Sequence, residues 1–488
     1  KYDPADATGL AHYLEHMLFK GSSRLGSLDY EKEEAYLNKI DSLYEEYGAT
    51  KDEKKRTAIY AQIDSVSQIA AQYTVPNEYD KIVNVMGATG TNAYTSNEQT
   101  VYINDIPSNQ LKNWLSLEHD RFTAPVMRLF HTELETVYEE KNRTLDSDYR
   151  KAYAATMELL YPTHQYGQQT TIGTIEHLKN PSLKKMKEYF QTYYVPNNMA
   201  ICITGDFDPD SALIWIKNTF GNMESKPIPE YEKVIEQPIA SMKDTTIYGP
   251  DADFLRIAWR LPAYGTDAAL KADVLSNVLY NGTAGLIDLN INQSQKALSA
   301  YAYSSSNKDY STFSMGGSPR EGQTLQELQE LLLAQLDSVK QGNFPDWLIA
   351  ATISEEKLSR IERMDDRNAR NRYLVTSFIM EVEPQKLLHD VEEMESISKE
   401  DLIQFAQENF ENNAVVVYKT TGTDESIAKV EKPHITPIQV NRDTSSAYFA
   451  EISALEVDPI EPVFIDYDKE IVKFELQDKI PVRMVKNE

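Results

Sequence analysis

The sequence has one cysteine, few histidines and no long apolar run. The single cysteine, Cys202, excludes an intramolecular disulfide, so cysteine content does not identify the compartment. No stretch approaches the roughly 18 consecutive apolar residues that a membrane-spanning helix needs. With 488 residues, 41% of them hydrophobic, we expect a soluble globular chain that is too long for one hydrophobic core.

Basic residues are also scarce. The chain has 49 Lys and Arg against 76 Asp and Glu, which gives a formal net charge of -27. Proteins that bind nucleic acid or an anionic membrane surface carry clustered positive charge. The composition therefore excludes both kinds of partner from the interpretation.

Local patterns predict several elements. Residues 8–20 have helical apolar spacing, with Thr8 as the expected cap and Gly21 at the end. Residues 29–73 carry two helical patterns that predict an αα-hairpin. The stretch GATGTNAYTSNEQTVYINDIP predicts two adjacent strands, and a long helix is expected over 132–160.

An internal sequence repeat indicates two copies of one domain. The segments KEYFQTYYVPNNMAICITGD and IQFAQENFENNAVVVYKTTG each predict a helix, an Asn-Asn turn and an apolar strand, and Phe190 and Phe405 correspond at an offset of 215 (405 minus 190). In this interpretation Cys202 is a buried strand residue. We expect a first domain at 1–235 with a helical insertion at 29–73, a second at 245–425, and a linker with the start of a further domain at 426–488.

The first helix contains a pattern that suits a metal. In HYLEH, His12 and His16 lie four residues apart and therefore on one helix face, where both imidazoles can bind one zinc ion. Glu15 projects beside that position and can take a proton from a water molecule that the ion acidifies. The order H-x-x-E-H is typical of inverzincin metallopeptidases.

A catalytic zinc site usually has three protein ligands. The later segment HTELETVYEEKN places Glu133, Val137 and Glu140 on one helical stripe, where a buried carboxylate is costly unless it is paired or bound to metal. We expect Glu140 to be the third ligand and Glu133 to be a partner of the ligands. A solvated acidic face is the alternative, and Glu139 is the alternative ligand.

Four segments in order, TGLAHYLEHMLFKG, GTNAYTSNEQTVY, ELETVYEEKNR and YYVPNNMAICITGDFDP, resemble the pitrilysin/insulinase family of zinc metallopeptidases. The resemblance covers most of residues 1–225, and later residues are similar to the family's second, non-catalytic domain. The separation from His16 to Glu140 is 124 residues (140 minus 16), longer than is usual in that family, and the insertion at 29–73 accounts for most of the excess.

The resemblance implies an α+β fold of two homologous domains, each an antiparallel β-sheet packed with α-helices. It implies that His12, His16 and Glu140 bind zinc, that Glu15 is the general base and that Glu133 supports the ligands. It also implies that Asn92 and Ala93, on an edge strand, contact the backbone of a peptide substrate. The second copy has ALKADVLSNVL where the motif helix falls, so we expect no metal there.

The predicted function is a zinc-dependent endopeptidase acting on peptides or unfolded segments. The alternative is a non-catalytic binding or assembly subunit of a two-part peptidase. By resemblance, a later homologous half or a partner subunit completes the site, and the sequence is interpreted as the N-terminal half of a longer protein. The chain begins at KYDPADATG without a methionine, and a periplasmic or otherwise exported location is the expectation, with a cytoplasmic one as the alternative.

Overall fold

A computed structural model describes residues 1–424, 429–430, 435–438, 443–461, 464, 466–477 and 479–485. The first part of the chain is mainly helical and contains one two-stranded antiparallel sheet. Its elements are α1 (Leu10–Met17), α2 (Tyr30–Ala49), α3 (Glu53–Ala70), α4 (Glu78–Val85), β1 (Thr89–Thr95), β2 (Thr100–Asp105), α5 (Leu111–Thr123), α6 (Phe130–Asp146), α7 (Asp148–Leu160), α8 (Gln165–Gln168), α9 (Ile175–Lys179), α10 (Leu183–Tyr193) and α11 (Pro209–Phe220).

The second part contains a five-stranded sheet in the order β3-β7-β4-β6-β5. The β3–β7 pair is parallel and the other pairs are antiparallel. The elements are β3 (Lys243–Gly249), β4 (Phe254–Pro262), α12 (Asp267–Leu279), β5 (Ser299–Ser306), β6 (Tyr310–Ser318), α13 (Leu325–Lys340), α14 (Trp347–Asp365), α15 (Arg367–Met380), α16 (Pro384–Met394), α17 (Lys399–Asn409), β7 (Val415–Thr421), α18 (Ala447–Ser453), α19 (Tyr467–Glu470), β8 (Val472–Leu476) and β9 (Ile480–Met484).

The cap of the motif helix differs from the prediction. Gly9, in the left-handed conformation at φ 88°, occupies the N-cap position, and the Asp3 carboxylate accepts hydrogen bonds from the backbone N–H groups of Gly9 and Ala11 at 2.6 and 3.0 Å. The prediction that Thr8 caps this helix is wrong, because the Thr8 hydroxyl lies 2.7 Å from His177 Nδ1 instead. The close approach of Gly9 to the backbone of Ile172 leaves no room for a Cβ there.

Two further predictions are wrong. The single helix expected over 132–160 is divided into α6 and α7, because Ser147 leaves the helical conformation and its side chain accepts a hydrogen bond from Arg150 N. The apolar segment 199–205 forms no strand, and Cys202 is half-buried outside the sheets. Its counterpart β7 lies between β3 and β4, whereas no described strand pairs with 199–205.

The rest of the local predictions agree with the structure. The two helices of the αα-hairpin are α2 and α3, and the two adjacent strands are β1 and β2, paired antiparallel. The expected linker EKPHITPIQVNRDTSS falls largely outside the described residues, and the expected start of a further domain contains the hairpin of β8 and β9. The fold is α+β, as predicted.

A buried ion pair joins the helical hairpin to the turn that precedes α6. Arg128 Nε donates to Glu33 Oε1 at 2.8 Å, and the two side chains are 1% and 0% exposed. The terminal nitrogens of Arg128 also donate to the backbone carbonyls of Lys20, Ser22 and Leu25 at 2.6 to 2.8 Å. This arginine therefore connects α2 to the chain that follows the motif helix.

We predict that Glu33→Gln lowers the free energy of unfolding by about 3 kcal/mol, because it leaves the buried Arg128 charge without its anionic partner. Urea denaturation followed by circular dichroism measures the change. Lys32→Met, which breaks the exposed pair with Asp29 on the same helix, is the matched control and should leave the midpoint unchanged. An equal loss of unfolding free energy in both variants would contradict the claim that the buried ion pair matters more than the exposed one.

Candidate metal centre

The helix α1 presents its two histidines on one side and its apolar residues on the other. Leu14 and Met17 are fully buried, whereas His12 and His16 are half-buried with ring centroids 4.8 Å apart. One helical turn separates the two imidazoles, as the i, i+4 spacing predicts. Both rings can therefore turn toward the helix that packs beside them.

That neighbouring helix is α6. Its buried residues Leu134 and Val137 pack in the same hydrophobic cluster as Leu14, and Tyr13 donates a 2.6 Å hydrogen bond to the Phe130 carbonyl. This packing brings Glu140 to the histidines, with its Oε2 3.5 Å from His12 Nε2 and 3.5 Å from His16 Nε2. The ligand atoms of the three residues all lie within 4.8 Å of one another.

These distances suit a metal ion better than direct bonds. Two ligand atoms about 2.1 Å from a tetrahedral ion lie about 3.4 Å apart. The two nitrogen–oxygen separations of 3.5 Å are close to that spacing. Two imidazoles and a carboxylate are also donors that zinc accepts, so the residues present fit the ion. The Glu140 side chain is 36% exposed, so the cluster is open to solvent.

Glu133 lies behind His16. Its Oε1 is 2.8 Å from His16 Nδ1, and its Oε2 is 2.5 Å from Lys20 Nζ. Burial opposes the ionised form of Glu133, but the hydrogen bonds and charges of His16 and Lys20 outweigh it and lower the pKa of that carboxyl. An ionised Glu133 can hold the Nδ1–H tautomer of His16, which leaves Nε2 free to bind a cation.

The two histidines differ in their protonation. Burial, with the charge of His16, lowers the pKa of His12 to about 4, which keeps this imidazole neutral near pH 7. Burial also opposes the charge on His16, but the hydrogen bond to Glu133 and the neighbouring carboxylates raise the pKa of that ring. The described residues offer His12 Nδ1 no hydrogen-bond partner.

The Glu15 side chain contacts the end of β1. Glu15 is only 7% exposed, and its Oε2 accepts a 2.5 Å hydrogen bond from Thr95 Oγ1. Burial raises the pKa of Glu15, and the hydrogen bond from Thr95 partly opposes that increase. A carboxyl group with a raised pKa is suited to exchanging protons.

The two predicted substrate contacts lie on β1. Asn92 pairs with Ile103 and Ala93 with Tyr102 of β2, and an irregularity in the register separates Thr89 from Asn92. Within the described ranges, no strand pairs with the opposite edge of β1. The strand therefore presents an open edge that ends beside Glu15.

Two residues at the site were not predicted from the sequence. Lys20 lies four positions after His16, so helical spacing could have indicated its contact with Glu133. Thr95 is 80 residues from Glu15, and no local pattern joins them. The alternative ligand Glu139 is not part of the cluster of His12, His16 and Glu140, which is the only such group among the residues that the structure describes.

The chain is similar in sequence to known zinc proteases. Residues 181–355 match the domain described as "Peptidase M16 inactive domain", a range that contains none of the cluster residues. The chain is 24% identical over 388 residues to "Zinc protease PqqE" of Helicobacter pylori, an alignment covering 76% of this chain and 85% of that protein. In the part of the chain that is described, no helix has the length and apolar character to cross a membrane.

Solved structures share the fold. A protease from Helicobacter pylori superposes with a TM-score of 0.70 at 19% identity, covering 86% of this chain and 91% of that one. The periplasmic protease PqqL from Escherichia coli superposes with a TM-score of 0.63 at 16% identity, covering 99% of this chain and 50% of that one. The chain thus spans about half the length of PqqL.

These neighbours confirm the α+β class. They also confirm the family resemblance drawn from the motifs, because the relatives are zinc proteases of the M16 type. The chain is similar to M16 zinc proteases, the group that the pitrilysin/insulinase resemblance predicts.

We predict that Glu140→Gln weakens zinc binding by more than the roughly 10- to 100-fold typical of losing an outer partner of a ligand. The amide removes a charged donor while the side chain keeps its shape. Competition with a chromophoric chelator measures the affinity. Glu139→Gln is the matched control on the same helical turn and should change the affinity little; a larger effect at Glu139 would identify that residue as the ligand.

Proposed function

We propose that the chain is a zinc-dependent endopeptidase that hydrolyses peptides or unfolded polypeptide segments. One observation carries the proposal: His12, His16 and Glu140, from two helices far apart in the chain, bring their ligand atoms within 4.8 Å of one another. The relatives named as zinc proteases support it. His12, His16 and Glu140 are the proposed zinc ligands.

Zinc held by these three residues would supply Lewis acidity, which lowers the pKa of a water molecule and polarises a carbonyl group. The proposed general base is Glu15. Its carboxylate accepts the proton of the attacking water and later returns a proton to the leaving amine. Glu133 holds the His16 ring through Nδ1, at 2.8 Å, and keeps Nε2 directed at the cluster.

The proposed substrate site is the open edge of β1. An extended peptide that adds to this edge is held by main-chain hydrogen bonds, which do not depend on its side chains. Asn92 and Ala93 are the proposed contacts, three and two residues from Thr95 at the end of the strand. This arrangement brings a peptide bond past Glu15 and supports broad specificity.

The same relatives support proposals about the partners and the location of the chain. We infer that a homologous half or a partner subunit completes the site, since the chain matches half of PqqL. The division into a catalytic unit at 1–235, with its insertion at 29–73, a unit without metal at 245–425 and a further unit from 426 remains a proposal. A periplasmic or otherwise exported location is proposed because the structural neighbour PqqL is described as periplasmic.

The rival function is a non-catalytic binding or assembly subunit. The match to an inactive M16 domain favours it for residues 181–355. The ligand atoms of His12, His16 and Glu140 lie outside that range and favour catalysis. Zinc binding with peptide capture but without cleavage, measured with the completing half or subunit present, would support the rival.

We predict that Glu15→Gln retains zinc and loses at least about 100-fold in peptidase rate, because glutamine keeps the shape of the side chain but cannot accept the proton. Cleavage of an internally quenched peptide and metal analysis measure the two properties. Glu139→Gln serves as the control for the loss of a nearby carboxylate. Full activity of the Glu15→Gln variant would remove Glu15 from its role.

A further inference from the structure

The side chain of Thr95 touches the proposed general base. Thr95 Oγ1 donates a 2.5 Å hydrogen bond to Glu15 Oε2, although the two residues are 80 positions apart and lie on different elements. Thr95 is the last residue of β1, the strand whose open edge is the proposed substrate site. One strand therefore contacts both the base and the position of the peptide.

The hydroxyl proton of Thr95 has a defined direction. An ionised carboxylate only accepts hydrogen bonds, so the proton points toward Glu15. The Thr95 oxygen can then accept from the Thr100 hydroxyl, which lies 3.2 Å away across the hairpin on β2. Thr100 thus orients Thr95, and Thr95 in turn orients one oxygen of Glu15.

We propose that Thr95 is a positioning residue for the reaction, an inference that rests on the proposed function of Glu15. A hydrogen bond to Oε2 fixes the plane of the carboxylate and leaves the other oxygen to exchange protons with the attacking water. Because Thr95 follows Ala93 by two residues, the same segment of backbone that receives the peptide also sets the direction of the base. The substrate register and the orientation of the base are thereby linked.

The chain offers a matched control. Thr91 lies four residues earlier on β1, and both threonines are half-buried on the same side of the strand. Thr91 Oγ1 donates a 2.9 Å hydrogen bond to Asn104 Oδ1, which is not part of the site. Replacing either threonine by valine removes one hydroxyl, keeps the β-branched shape and leaves the strand intact.

The experiment compares Thr95→Val, Thr95→Ser and Thr91→Val with the wild type, with the completing half or subunit present. A hydrogen bond to a charged group corresponds to about a 10- to 100-fold effect. We expect Thr95→Val to lower kcat by that factor, with KM within about twofold and bound zinc unchanged. Thr95→Ser, which keeps the hydroxyl, should recover most of kcat, and Thr91→Val should match the wild type.

Three results would overturn the role of Thr95: unchanged kcat in Thr95→Val, an equal loss in Thr91→Val, or a rise in KM alone. Failure of serine to restore kcat would also overturn it, because a loss of packing would then explain the effect. Failure of the proposed function has a different outcome. There, the wild type cleaves no peptide, or Glu15→Gln is as active as the wild type.

Discussion

The packing of α1 against α6 determines whether this chain has a site. His12 and His16 come from one helix and Glu140 from the other, so their meeting depends on the register between the two helices. A shift of one residue along α6 would rotate Glu140 by about 100° and move it by about 1.5 Å. The hydrogen bond from Tyr13 to the Phe130 carbonyl and the buried contacts of Leu134 oppose such a shift.

The three carboxylates near the histidines differ in their partners, and this separates their chemistry. Glu133 is held between His16 and Lys20, which lower its pKa and make it a fixed anion. Glu15 is buried against one neutral hydroxyl, and burial raises its pKa. Glu140 is the most exposed and faces both imidazoles at 3.5 Å. The same side-chain type can therefore serve as a support, a base and a ligand within one cluster.

The sequence predicts the parts of the structure that local periodicity determines. The motif helix, the helical hairpin and the β1–β2 pair each follow from residue patterns a few positions long. The expected strand at 199–205 is wrong because a strand requires a neighbour, and the apolar pattern contains no information about that neighbour. Thr8 does not cap α1 because Asp3 accepts the hydrogen bonds of the first helical N–H groups and the Thr8 hydroxyl lies against His177. Sequence spacing does not show either contact.

The site, too, has parts that local spacing predicts and parts that depend on tertiary contacts. The positions of His12, Glu15 and His16 on one helix follow from their spacing, and the stripe on α6 indicates Glu140. The direction of the Glu15 side chain does not follow from spacing. It depends on Thr95, which the fold brings from the sheet. Contacts within one helix can be predicted, whereas contacts between a helix and a strand require the tertiary structure.

The second part of the chain contains a similar helix–strand contact among different charges. Its helix α12 places Asp273 against Ser304 of β5, a carboxylate–hydroxyl contact between a helix and a hairpin strand similar to that of Glu15 and Thr95. Burial raises the pKa of Asp273 to about 6. Nearby, on α14, the guanidinium of Arg360 bonds to Glu356 and Asp390. The offset of 215 predicts that α14 is the counterpart of α6. At this place the protein cation Arg360 balances the acidic residues Glu356 and Asp390.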